Sequence, residues 1–152
     1  MLRRDETIRN LLAAVQDPAR PPLLMGVLNV TPDSFSDGGQ YRETDQAIAH
    51  GLSMAAAGAD ILDIGGESTR PGAAPVSEAE EMDRVIPVIS ALVDRMPMPI
   101  SVDTRRTSVA QAALDAGAVI VNDVSCFRQD PDMAALLGRE QPIAVAMHMR
   151  GQ

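Results

Sequence analysis

The sequence predicts an α/β protein in which parallel strands alternate with helices. Three features predict it. Five short apolar runs recur along the chain, each bounded by glycine, proline or polar residues. Segments with helical spacing lie between them, and polar residues gather where the apolar runs end. Continuous apolar runs of this length suit parallel strands buried on both faces.

Residues 1–22 read as an N-terminal segment, a short amphipathic helix closed by the Pro21-Pro22 break. Residues 23–152 read as one partial β/α domain. The first strand is Leu23–Leu28, followed by a polar loop and a helix over Thr44–Ala57. Gly58 stops that helix before the second strand, Ala59–Ile64. The next helix spans Ser77–Arg95: Ser77 and Glu80 have the spacing of a capping box, and Pro87 should kink the helix. Pro99–Val102 is the third strand, Thr104–Ala116 the next helix, and Gly117 its stop. Val119–Val121, Pro131–Leu137 and Ile143–Met147 complete the alternation as strand, helix and strand.

An internal echo supports repeated units. Ala57-Gly58-Ala59-Asp60-Ile61-Leu62-Asp63-Ile64 resembles Ala116-Gly117-Ala118-Val119-Ile120-Val121-Asn122-Asp123. Asn29, Asp63, Asp103 and Asn122 close four of the strands on the side where β/α folds place their chemistry. A closed eight-stranded barrel takes roughly 250 residues. The chain therefore reads as a fragment of a barrel, a half that pairs with a second chain, or an open sheet.

Composition narrows the function. The net charge is −8, and every one of the 13 cations is Arg. That balance argues against a polyanion-binding surface, and two Phe, one Tyr and no Trp leave few platforms for stacking nucleic-acid bases. Without lysine, no Schiff base can form on a side chain. The single cysteine, Cys126, excludes an internal disulfide and suits a reducing, cytoplasmic setting. The Leu11–Val15 run is too short for a membrane span.

Two loops carry the chemistry. Leu28-Asn29-Val30-Thr31-Pro32-Asp33-Ser34-Phe35-Ser36-Asp37-Gly38-Gly39 offers an amide, two carboxylates, hydroxyls and one aromatic ring. Such a set suits a hard cation and a flat ligand, although composition alone would also fit a plain surface loop. Asp63-Ile64-Gly65-Gly66-Glu67-Ser68-Thr69-Arg70-Pro71-Gly72 follows the second strand. Its glycines allow unusual backbone conformations and close approach to a ligand, and Arg70 suits phosphate or carboxylate.

Together these segments closely resemble the two signature loops of dihydropteroate synthases. Ser101-Val102-Asp103-Thr104, Val121-Asn122-Asp123-Val124-Ser125 and Met147-His148 resemble that family's later strand ends, in the same order. The resemblance implies a (β/α)₈ barrel of the dihydropteroate synthase type, with about five strands and four helices in this chain. It implies an enzyme of folate biosynthesis that joins 6-hydroxymethyl-7,8-dihydropterin pyrophosphate to 4-aminobenzoate and releases pyrophosphate. Asp103 and Asn122 match the pterin-binding positions, and Met147 an apolar pterin contact. Asn29 matches the residue near Mg²⁺–pyrophosphate, the implied cofactor site. Asp37 matches the acidic residue of the first loop. Thr69, Arg70 and Pro71, with Phe35, match the aminobenzoate pocket. The implied chemistry is dissociative: pyrophosphate departs and the arylamine attacks the cation left at the pterin methylene.

The chain departs from the family pattern in two ways. The later strands, with a further Asp, a Lys, and an Arg and His near the pyrophosphate, are not represented, so negligible synthase activity and either self-association or poor solubility are expected of the isolated chain. Cys126-Phe127 also stands where glycine usually follows, which affects the fourth-strand loop. A pterin-dependent methyltransferase domain and a non-catalytic pterin-binding or scaffolding half-barrel are the alternative readings. Outside the motifs, Cys126 reads as a packed loop thiol and His50 as a surface residue. Glu78, Glu80, Glu81 and Asp83 read as a solvated helix face.

Overall fold

The computed structural model describes residues 2–31, 39–67 and 75–147. It contains α1 (Leu2–Gln16), β1 (Met25–Asn29), α2 (Gly39–Ala56), β2 (Ile61–Gly65) and α3 (Glu78–Arg95). β3 (Ile100–Asp103), α4 (Thr107–Asp115), β4 (Ile120–Asp123), α5 (Met133–Glu140) and β5 (Ile143–Ala146) follow. The strands form one parallel sheet in sequential order, β1-β2-β3-β4-β5, as the alternation predicts.

Side chains alternate between the two faces of a strand. One face packs beneath α2 to α5: Leu28, Leu62, Ile64, Ile100, Val102 and Val121 belong to a continuous aliphatic core with Val85, Ile89 and Leu92 of α3. Aliphatic side chains do this work because the sequence has almost no aromatics. The other face carries Met25, Val27 and Asn29 of β1, then Asp63, Ser101, Asp103 and Asn122 along the same rows. α1 lies across the N-terminal end of the strands, where Leu11 packs with Ile61, Val119 and Ile120. Arg4 fastens it by donating to the Glu140 carbonyl at 2.7 Å. Among the described residues, no helix is long and apolar enough to cross a membrane.

Local chemistry sets the joints. Gly58 and Gly117 both take positive φ, +101° and +109°, which gives the repeated helix-to-strand turn its glycine requirement. Ser77 caps α3, its hydroxyl accepting from the Glu80 N–H at 3.2 Å. Only this half of the expected capping box forms, because the Glu80 carboxylate pairs with Arg84. α3 continues through Pro87 to Arg95. Arg106 gives α4 no side-chain cap; instead Asp130 accepts from the Thr107 N–H at 2.8 Å. That bond holds the half-buried Asp130 carboxyl below its ordinary pKa.

Two features of this sheet favour association. Among the described elements β1 and β5 each pair on one side only, leaving backbone donors and acceptors along their outer edges. Val27 and Met25, apolar and facing away from the helices, are 55% and 39% exposed. The 152-residue polypeptide alone is therefore expected to self-associate at micromolar concentration. Light scattering that shows a monodisperse monomer would refute this.

Candidate functional site

The register of the sheet builds the site. Asn29 pairs with Gly65, Gly65 with Asp103, and Asp103 with Asn122, so one row crosses four strands. One step below, Asp63 pairs with Ser101. Asp63, Ser101 and Asn122 are 4%, 0% and 7% exposed. The Asn122 Nδ2 donates to Asp63 Oδ2 at 2.9 Å, reaching past the strand between them. Asp63 Oδ1, Ser101 Oγ and Asn122 Oδ1 remain buried without a hydrogen-bond partner. An unsatisfied buried polar group costs about 1–3 kcal/mol. Three at one place are an unmet hydrogen-bonding capacity that calls for an explanation.

Of the residues expected to form the site, Asp103 and Asn122 do come together. Asn29 shares their row at the exposed end of β1. Met147 follows β5 and is 43% exposed, with its N–H donated to the Asp123 carbonyl at 3.1 Å. Phe35, Asp37, Thr69, Arg70 and Pro71 lie outside the described residues. Asp63, one of the polar strand ends, and Ser101 join the group, although the family resemblance assigns neither an individual role. The signal for Asp63 is a carboxylate interrupting the apolar run Ile61-Leu62-Asp63-Ile64.

Three expectations need correction. Glu81 is not solvated: it is 1% exposed and ion-paired with Arg106, which offsets its burial. Neither Gly65 nor Gly66 adopts positive φ. Gly66 answers a packing need instead, since a Cβ there would meet Val85 Cγ1 at 2.9 Å. Cys126 is exposed rather than packed. With Phe127 it takes left-handed backbone, φ 57° and 61°, at about 1–2 kcal/mol per residue. Buried Asp123 holds this turn through bonds from the Ser125 N–H at 2.6 Å and the Phe127 N–H at 3.1 Å. The conformation that glycine adopts readily is thus kept without glycine.

Beside Asp103 stands a charged cluster. Arg105 donates to Glu67 Oε1 at 2.8 Å, and Arg106 to Glu67 Oε2 at 2.9 Å and to Glu81. Burial alone would lower the Arg106 guanidinium, but Glu81 and Glu67 outweigh it and hold its pKa above the ordinary value. Burial pushes the Asp103 carboxyl up to about 7; Asp63, Glu81 and Asp123 push the same way, and Arg105 opposes them.

This shift has a measurable sign. An unfolded Asp titrates near about 3.9. Between that value and about 7 the folded chain therefore holds a proton that the unfolded chain has released. The resulting stabilisation is complete below the unfolded value and is lost as pH rises through about 7. Asp103→Asn should remove this dependence and make the unliganded chain more stable than the parent at pH 8, by an order of 1–2 kcal/mol after solvent screening. Urea unfolding at pH 5 and pH 8 checks it; parallel pH dependence in both chains would exclude the shift.

Comparison with known proteins identifies the family. Residues 25–152 match the family described as pterin binding enzyme. The chain is 55% identical over 128 residues to dihydropteroate synthase of Bacillus subtilis, covering 84% of this chain and 45% of that protein. It is 51% identical over 130 residues to the Mycobacterium leprae enzyme, covering 86% and 45%. The Xanthomonas albilineans dihydropteroate synthase solved with 4-aminobenzoic acid superposes with a TM-score of 0.81 at 52% identity, covering 86% of this chain and 47% of that one. The Clostridium difficile enzyme, solved in the presence of pteroic acid, gives 0.84 at 48% identity, covering 88% and 51%. The chain spans about half the length of these curated relatives. With a family match over all but its first 24 residues and a polar row where its strands end, the chain belongs to the pterin binding enzyme family.

Proposed function

We propose that this chain supplies the pterin-binding half of a dihydropteroate synthase. In that reaction the C–O bond from the pterin methylene to pyrophosphate breaks, and its electron pair leaves with pyrophosphate. The nitrogen lone pair of 4-aminobenzoate forms the new C–N bond, and the nitrogen gives up a proton. The observation that carries this reading is the set of unpartnered buried atoms, Asp63 Oδ1, Ser101 Oγ and Asn122 Oδ1, beside Asp103. A pterin offers several N–H groups along one edge, and carboxylate and amide oxygens accept from them.

In this reading the chain's own residues bind and orient. Asp103, when ionised, accepts from the pterin; Asn122 both donates and accepts; Asp63 fixes the Asn122 amide through the bond they share. Met147 offers an apolar contact beside the row. Arg70, Asp37, Phe35, Thr69 and Pro71 are proposed to complete the aminobenzoate and pyrophosphate side.

Mg²⁺ belongs to the same proposal. Among the described residues there is no group of three or more His, Cys, Asp or Glu able to hold a metal by itself. The Asn29 amide at the exposed end of β1 nevertheless fits a Mg²⁺ carried by pyrophosphate, which keeps several waters and needs few protein oxygens. When bound there, the ion would neutralise charge on the departing pyrophosphate. A cytoplasmic location is proposed from the single cysteine.

Calorimetry with a soluble pterin tests the reading. Asp103→Asn should weaken binding roughly tenfold or more, since a hydrogen bond to a charged group is worth about 1.5–3 kcal/mol. Parent affinity should rise as pH passes upward through about 7, where Asp103 ionises, and the mutant should lose that rise. Equal affinity and equal pH dependence in both chains would remove Asp103 from the site.

A further inference from the structure

Residues on either side of 68–74 are tied down by arginines from outside that connection. Arg84 Nη1 donates to the Gly66 carbonyl at 2.8 Å. Arg106 reaches both sides at once: Nη1 donates to Glu67 Oε2, and Nη2 donates to the Val76 carbonyl at 2.6 Å. The same Nη1 binds Glu81, which is 1% exposed in the first turn of α3. Arg105 takes the other oxygen of Glu67, so both oxygens of that carboxylate are engaged.

The cluster is also linked to the ligand-facing row. The Arg106 N–H donates to Thr104 Oγ1 at 3.2 Å, and the Thr104 N–H donates to the Asn122 carbonyl at 3.0 Å. A small cavity lined by Glu67, Glu81, Asp103, Thr104 and Arg105 joins the two. Stability alone does not account for such a device. A buried ion pair often contributes no more than well-packed apolar side chains of similar size, whereas its directional bonds fix geometry.

We propose that Arg106 is a positioning residue: its guanidinium clamps Glu67 and Val76 to Glu81, setting where the β2–α3 connection leaves and rejoins the framework beside Asp103 and Asn122. The clamp stands on these bonds; that the ligand held beside it is a pterin rests on the function proposed above.

The α3 N-terminus reports the clamp. The amides of Glu80 and Glu81 bond to Ser77, the residue after Val76, so their exchange rates follow how firmly that segment is held. Arg106→Met leaves Glu81 buried without a partner and risks misfolding, so the decisive variant is Arg106→Met/Glu81→Leu, which replaces the pair by apolar groups. In that variant the amides at positions 80 and 81, corrected for the intrinsic rates of the changed sequence, should exchange at least tenfold faster while β3 and β4 keep parent rates. Pterin affinity should fall at least threefold. Arg106→Lys should fall between the parent and the double variant in both measurements, because an ammonium keeps the charge beside Glu67 and Glu81 but lacks the second arm with which Arg106 Nη2 reaches the Val76 carbonyl. Unchanged exchange, an equal rise across the whole chain, or faster exchange with unaltered pterin affinity would each overturn the proposal. If the parent chain binds no pterin, the function proposed above fails, and the exchange pattern alone decides the clamp.

Discussion

Parallel pairing in register is the constraint on which the site depends. Because each strand meets the next with like positions side by side, one residue per strand is enough to draw a line across the sheet. Asn29, Gly65, Asp103 and Asn122 stand on that line although about 90 positions of chain separate its ends. Gly65 keeps the line open: a Cβ there would sit 3.5 Å from the Asp103 Cβ, within ordinary contact, on the side where Asp103 stands. The helices bind the opposite face through aliphatic contacts, so the polar row is not needed for that packing.

The row nevertheless carries an electrostatic load. Asp63 and Asp103 sit on neighbouring strands, and Asp123 and Glu81 add negative charge nearby. The Asn122 amide engages one Asp63 oxygen, Arg105 offers partial relief, and Asp103 answers by holding its proton more tightly. A ligand that donates hydrogen bonds would relieve the same load. The arrangement is costly when empty and favourable when filled, which is common where binding and stability compete for the same residues.

Much of the fold was legible because its signals are local. Apolar runs, helix stops at Gly58 and Gly117, and the Ser77 cap each rest on a few consecutive residues. Strand and helix limits moved by one to several residues because hydrogen bonding, not apolar character, ends an element. The motif positions Asp103 and Asn122 were legible for the same reason. The features that local patterns do not carry depend on contacts between distant segments. Glu81 looks like any acidic residue in a first helical turn until Arg106, 25 positions later, is brought against it. Asp130 capping α4, and Asp63 sharing a bond with Asn122, are likewise products of the folded sheet.

Asn122 and Asp123 are neighbours with opposite duties. Asn122 faces the polar row, while Asp123, on the other face of the strand, accepts the amides that hold the Ser125–Phe127 turn. Alternation makes both duties available within two consecutive codons, and it also makes them hostage to reading length. Inserting or deleting a single residue early in β4 would exchange the two faces. A deletion would put the Asp123 carboxylate where the Asn122 amide stands and Val124 in place of Asp123; an insertion would put Val121 in the row and ask the Asn122 amide, with one oxygen, to replace two. Substitutions can explore either position separately, but an indel in this strand disables recognition and folding together.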